Sequence, residues 1–107
     1  VSLDVYLSKV QPTEVYSANI THNLTEMASE AGLYQVLWRP EELGFTKAAH
    51  LIGPLTAGLA RLKADPARFK KFNAENVWGL YEHFVPFVEN YLRACEEHPD
   101  ADVEVSR

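Results

Sequence analysis

Apolar and polar residues change rhythm several times along this chain of 107 residues, and each rhythm implies an element. Leu3-Asp4-Val5-Tyr6-Leu7-Ser8 alternates with period two, the pattern of a strand with one buried face. Gln11-Pro12-Thr13 breaks the alternation, and Glu14 to Ala18 reads as a second short strand turning back on the first. The period then lengthens. Leu24, Met27, Ala28 and Ala31 share one helical face, while Glu26 and Glu30 lie off it. Thr21 is the expected N-cap, with Asn19 as the competing candidate, and Gly32 is the expected left-handed stop. Leu33 to Trp38 suggests a further helical stretch closed by Pro40, because a residue before proline is pushed out of the α region. Pro40-Glu41-Glu42-Leu43-Gly44 then reads as one proline-opened turn.

A longer helix follows, roughly Lys47 to Lys63, capped by Thr46. Its buried face is Ala48, Leu51, Ile52, Leu55, Leu59 and Leu62. Pro54 lies inside it and predicts a kink or a break, since an interior proline removes one hydrogen bond. Asp65-Pro66 restarts a short helix to Phe72, and residues 73–76 read as a loop. The last helix, about Val77 to Glu97, carries the strongest apolar stripe: Val77, Tyr81, Phe84, Val88, Tyr91 and Cys95. Leu80, Phe87 and Leu92 widen it, and Pro86 interrupts it. His98-Pro99-Asp100 ends the helix, and Ala101 to Ser106 alternates once more. The expected fold is α+β, mostly α, with four to five helices packed on a small sheet. Two or three short strands from the chain termini would form that sheet, within a single domain spanning residues 1–107.

Composition sharpens this only in part. At 47% hydrophobic residues the chain builds a core without staples. Its single cysteine, Cys95, forms no internal bridge, which points to a reducing, cytoplasmic setting. The two sequons at Asn19 and Asn23 then carry no meaning, and Val1 to Lys9 lacks the apolar run of a signal peptide. No stretch approaches a membrane span of about 18 apolar residues. The net charge of −5 disfavours nucleic acid as a partner. The local exception is Arg61, Lys63, Arg68, Lys70 and Lys71, which read as a solvated helix face or a phosphate seat.

The densest polar chemistry lies at Asn19, Thr21, His22 and Asn23. Short polar side chains at a helix start bond backbone amides, which explains one of them. Three together with a histidine exceed what one cap uses, and a helix start offers amide donors to an anion. Trp38-Arg39 adds a ring beside a planar cation, able to stack on a base or clamp an anion, or else to anchor the core. Trp78, Tyr81 and Glu82, with His83 beside them, offer a similar mixture. His22 and Glu26 are four residues apart, as two metal ligands or an acid–base pair would be, but no third ligand is near in sequence. His50 reads as structural or solvated, and Cys95 as an inert thiol. No Walker loop, nucleophile elbow or dinucleotide fingerprint is present.

The runs ANITHNLTEMASEAGLY and LWRPEELG, the Trp-Gly-x-Tyr-Glu within 77–82 and the closing PDADVEVSR together resemble a family of small uncharacterised proteins of bacteria and phages. The likeness covers nearly the whole chain and is most specific from Asn19 to Glu42. Where that pattern has Asn-Gly-Trp-Gly, this chain has Asn76-Val77-Trp78-Gly79. The resemblance implies no catalytic residue. It implies a class of small proteins that bind a host factor or sequester a signalling nucleotide.

The expectation is therefore a non-enzymatic binding protein without a cofactor. Its ligand would be small and anionic or nucleotide-like, held by Asn19, Thr21, His22, Asn23, Trp38, Arg39, Trp78, Tyr81 and Glu82. The alternatives are a protein–protein adaptor or inhibitor of a host factor, and a metal- or His-dependent hydrolase around His22 and Glu26. Homo-oligomerisation is left open.

Overall fold

The computed structural model describes residues 2–9, 13–73 and 79–107. Two strands open the chain, β1 (Ser2–Lys9) and β2 (Thr13–Thr21). A 3-10 turn at His22–Leu24 leads into α1 (Thr25–Glu30), followed by α2 (Tyr34–Trp38) and a second 3-10 turn at Pro40–Leu43. Then come α3 (Ala48–Ala64), α4 (Pro66–Lys70), α5 (Tyr81–Glu97) and β3 (Asp102–Ser106). The sheet order is β2-β1-β3 with both pairings antiparallel, so the first strand is central and the last lies beside it. Val5 stands opposite Ala18 on one side and Val105 on the other.

The expected class, mostly α with four to five helices on short strands, is corrected by this arrangement. β1 and β2 run to eight and nine residues and form with β3 a complete sheet layer. Only α3 and α5 are long, at 17 residues each, and the other three α-helices have five or six. The fold is α+β, with the sheet as a full partner of the helices. The sequence pattern alone ends the second strand at Ala18, because Asn19 and Thr21 have the character of helix caps. In the sheet, alternation continues through them. Ile20 pairs with Leu3 and is buried, and Asn19 pairs with Asp4 and faces outward.

Leu3, Val5, Leu7 and Ile20 on the inner face join one core with Leu51, Leu55 and Leu62 of α3 and Phe84, Val88 and Tyr91 of α5. Burying such side chains contributes about 1.5–3 kcal/mol each. Tyr16 of β2 stacks on Tyr91, ring centroids 6.0 Å apart, and Phe87 leans on the other side of the ladder at 6.1 Å from Tyr91. Neither Pro54 nor Pro86 breaks its helix. Each removes a single backbone bond, and the packed apolar face on either side holds the turns together.

The caps show how local chemistry sets the element ends. Thr21 does cap, its hydroxyl accepting the Asn23 amide at 3.2 Å, though it starts a 3-10 turn and not an α-helix. Thr46 does not cap α3. Instead the His50 ring nitrogen Nδ1 accepts the amides of Thr46 and Lys47, both at 3.2 Å. This requires the tautomer protonated on Nε2 and makes His50 structural. Asp65 caps α4 by accepting the Arg68 amide, with Pro66 at the first position. Gln11 and Pro12 of the turn read at Gln11-Pro12-Thr13 lie outside the described residues, while Thr13 begins β2; Val77 and Trp78, at the expected start of the last helix, also lie outside them.

Burial also sets how the fold responds to alkali. Desolvation pushes the Cys95 thiol up to about 12 from 9.0 and raises the phenols of Tyr91 and Tyr16. These groups stay neutral in the fold, while the unfolded chain ionises them near their ordinary values. A raised folded pKa gives stability that is complete below the unfolded value and lost as pH climbs towards the folded one. Melting temperature is therefore expected to hold up to about pH 9 and to fall steadily from there towards pH 12, the window set by Cys95. Thermal melts followed by circular dichroism across pH 7–11 check this, and a flat profile above pH 9 contradicts it.

Candidate functional site

The polar residues expected to gather around the first helix divide into two groups. Asn19 and Thr21 sit at the end of β2 and line a cavity of about 500 Å3 together with Ile20, Leu24, Gly79, His83 and Phe87. Three elements build it. The end of β2 gives one wall, the 3-10 turn after it gives Leu24, and the first turns of α5 give His83 and Phe87. Those two are four residues apart and so share one helix face. Gly79 closes the wall at φ +116°, and a Cβ there would lie 2.9 Å from Asn23 Cβ and 3.3 Å from Thr21 Cγ2. Only glycine combines that left-handed backbone with so close an approach.

The cavity floor is apolar, from Ile20, Leu24 and Phe87, and hydrogen-bonding groups stand around it. Asn19 donates through Nδ2 to Asp4 Oδ1 at 2.6 Å and to Ser2 Oγ at 2.9 Å, which fixes its amide across the sheet. The donor end is thereby engaged, and the side-chain carbonyl retains acceptor capacity. His83 is exposed and is the one ionisable side chain among the described lining residues.

His22 and Trp38 belong to the second group. The His22 ring packs against Trp38 with centroids 6.1 Å apart, and Trp38 stacks on Tyr34 at 5.6 Å. Trp38 is 2% exposed, so it is a core anchor. The ring nitrogens His22 Nε2 and Trp38 Nε1 are both buried, and neither has a partner among the described residues. Arg39 points elsewhere, donating to the Tyr34 hydroxyl and to Glu42, both at 3.1 Å. Hydrogen bonds to Tyr34 and then Glu42 raise its pKa further and keep it charged. Neither Trp38 nor Arg39 lines the cavity, and Glu26 is exposed. The described residues contain no cluster of three potential metal ligands, so the metal-dependent alternative finds no donor set there.

Tyr81 and Glu82 line a separate cavity of about 480 Å3 with Lys70, Asn73, Val85 and Pro86. Tyr81 is held in place, its hydroxyl donating to the Leu62 carbonyl and its amide to Asn73 Oδ1, both at 2.7 Å. Trp78 lies outside the described residues.

The cations of the basic run are spread over separate partners. Arg61 donates to the Ala31 carbonyl, Lys63 pairs with Glu89 and Arg68 with Glu30. Lys70 and Lys71 lie over the rings of Tyr81 and Phe72. Each cation is directed at its own neighbour. The expected helix start is weakened in the same way. α1 has six residues, too few to build a strong dipole, and one of the amides in the preceding turn is taken by Thr21. Sequence reasoning missed Gly79 and Phe87 as lining residues and read Leu24 only as core. The i, i+4 spacing of His83 and Phe87 was the available signal. No helix among the described residues is long and apolar enough to cross a membrane. No family model, no curated protein and no solved structure matches the chain.

Proposed function

We propose that this protein is a non-enzymatic binding protein for a small ligand with a flat, nucleobase-like body, seated in the cavity at the end of β2. The observation that carries this reading is the cavity's make-up. Ile20, Leu24 and Phe87 offer an apolar floor, and Asn19, Thr21 and His83 offer edge-on hydrogen bonds, within about 500 Å3. Small-molecule sites commonly fall between roughly 300 and 1,000 Å3, with a few polar groups set among apolar ones. Among the described residues one ionisable group lines it, whereas acid–base or nucleophilic chemistry needs a second group to act with it. That supports binding over turnover. A charged phosphate would meet no lysine or arginine in the lining, so the base-like portion supplies the affinity.

Calorimetry against nucleobases, nucleosides, nucleotides and inorganic phosphate tests this. A nucleoside and its nucleotide are expected to bind within about threefold of each other, with His83→Ala weakening both by about tenfold, roughly the loss of one hydrogen bond. Gly79→Ala is expected to abolish binding while the chain still folds, because the new Cβ pushes Thr21 and Asn23 into the cavity wall. Silence across the whole panel, or binding of phosphate alone, sinks the reading.

A further inference from the structure

The two edges of the sheet are treated differently. The outer edge of β3 is guarded. Lys47 bridges to Asp102, the Val103 amide donates to the Thr46 carbonyl at 2.9 Å, and Asp102 and Glu104 put two negative charges on a five-residue strand. Such charges and covering segments are how proteins keep a sheet edge from pairing with another chain. On β2 only the first residues are guarded in this way, by Glu14 and by a bulge beside Val15. From Val15 to Thr21 it has no charged residue, in a protein whose net charge is −5. Among the described residues no backbone group pairs with its outer edge, although it is the longest strand of the fold.

We propose that the outer edge of β2 pairs antiparallel with the same edge of a second copy, joining two three-stranded sheets into one of six strands. Charge selects the partner. Two copies of an acidic protein repel over most of their surfaces, and at the β3 edge Asp102 and Glu104 would face their own counterparts. At β2 a two-fold axis through Ala18 brings no like charges together. Glu14, the nearest acid on the strand, would lie eight positions from its counterpart, about 26 Å at 3.3 Å per residue, beyond a Debye length of about 8 Å.

The side chains fit this register as well. Ala18 meets its counterpart, the smallest apolar pair at the point of closest approach. On the same face Tyr16 stands opposite Ile20, which extends the core across the junction, since Tyr16 and Ala18 already pack against it. On the outer face Ser17 stands opposite Asn19, polar with polar, and the pairing stops at the bulge beside Val15. An axis through Ser17 would set Glu14 opposite Ile20, a poorer match, and one through Asn19 would leave Tyr16 without a strand residue opposite it. Asn19, Ile20 and Thr21 belong both to this edge and to the cavity lining, so the pairing is tested on the ligand-free protein.

Sedimentation velocity over a concentration series tests the proposal. Mass should rise from 12.1 kDa towards twice that value as concentration increases. Ser17→Lys sets two cations diagonally across the axis and should weaken the dimer at least tenfold, with unchanged circular dichroism. Ala18→Cys supplies a positive readout. Cα atoms of a directly opposed pair, about 4.5–5.5 Å apart, lie within reach of a disulfide, and Cys95 is buried and does not compete. Mild oxidation should therefore give a covalent dimer faster than it does for Ser106→Cys on the guarded edge. A chain that stays at 12.1 kDa at millimolar concentration overturns the proposal. So does a dimer insensitive to Ser17→Lys, or cross-linking no faster at position 18 than at position 106.

Discussion

Gly58→Ala is expected to destabilise the protein by about 1–3 kcal/mol, against the direction that helix propensity alone dictates. Gly58 lies within α3, where alanine is normally favoured over glycine by about 1 kcal/mol. Here the methyl has nowhere to go. A Cβ built on Gly58 falls 2.3 Å from Leu33 Cδ2 and 2.4 Å from Leu33 Cγ. Leu33 is fully buried, so its side chain cannot swing aside into solvent, and α2 must separate from α3. Overpacking of this kind outweighs the propensity gain. Urea denaturation measures it, and Leu33 supplies the internal check. Leu33→Ala alone should cost about 2–5 kcal/mol by leaving a cavity. In the Gly58→Ala background it should cost markedly less, because the new methyl occupies part of that space. Strict additivity would show that the two residues do not meet.

Tyr91 should give opposite answers to two substitutions. Its ring lies at the centre of the aromatic ladder between Tyr16 and Phe87, and its hydroxyl is buried with no hydrogen-bond partner among the described residues. Tyr91→Ala removes the ring and is expected to cost about 3–5 kcal/mol. Tyr91→Phe removes only the stranded hydroxyl and is expected to raise stability by about 1 kcal/mol, since an unsatisfied buried donor carries a desolvation cost. In a domain of this size, 1 kcal/mol corresponds to a melting-temperature change of roughly 4–8 °C, well within measurement. The same variant should flatten the alkaline loss of stability, because one of its sources is gone. A destabilised Tyr91→Phe would mean that the hydroxyl is satisfied in solution.

Much of the element layout was legible in the chain, and its balance was not. The alternation at 3–8 and 101–106 and the long stripe from Phe84 to Cys95 each have one strong signal, a single buried face with a fixed period. They appear as β1, β3 and α5. The overall class was misjudged because Asn19 and Thr21 are favourable both as caps and at an outward strand position. Only the pairing of Ile20 with Leu3 decides between the two, and that pairing is non-local. The same ambiguity displaced the site. Polar crowding was read as a surplus around one helix start, whereas the strand turns Asn19 outward to Asp4 and the following turn packs His22 against Trp38. His83 and Phe87 reach Thr21 from some sixty residues away, and neither propensity nor spacing records that meeting. The cations of 61–71 were likewise spread by tertiary partners that no local pattern announces.

The sheet's topology carries a consequence for how the molecule comes into being. β1 is made long before β3 and occupies the centre of the sheet, yet this neighbour is a hundred residues away, Val5 opposite Val105. Until that late strand docks, a freshly made chain can hold β1 only by its hairpin with β2, leaving the other side of the central strand uncovered. Contacts so distant along the chain demand a large loop-closure entropy before they return any stabilisation, which slows the final step. The ribosome-bound intermediate is thus the form most exposed to unwanted strand addition, and its vulnerable side is the one that β3 later covers.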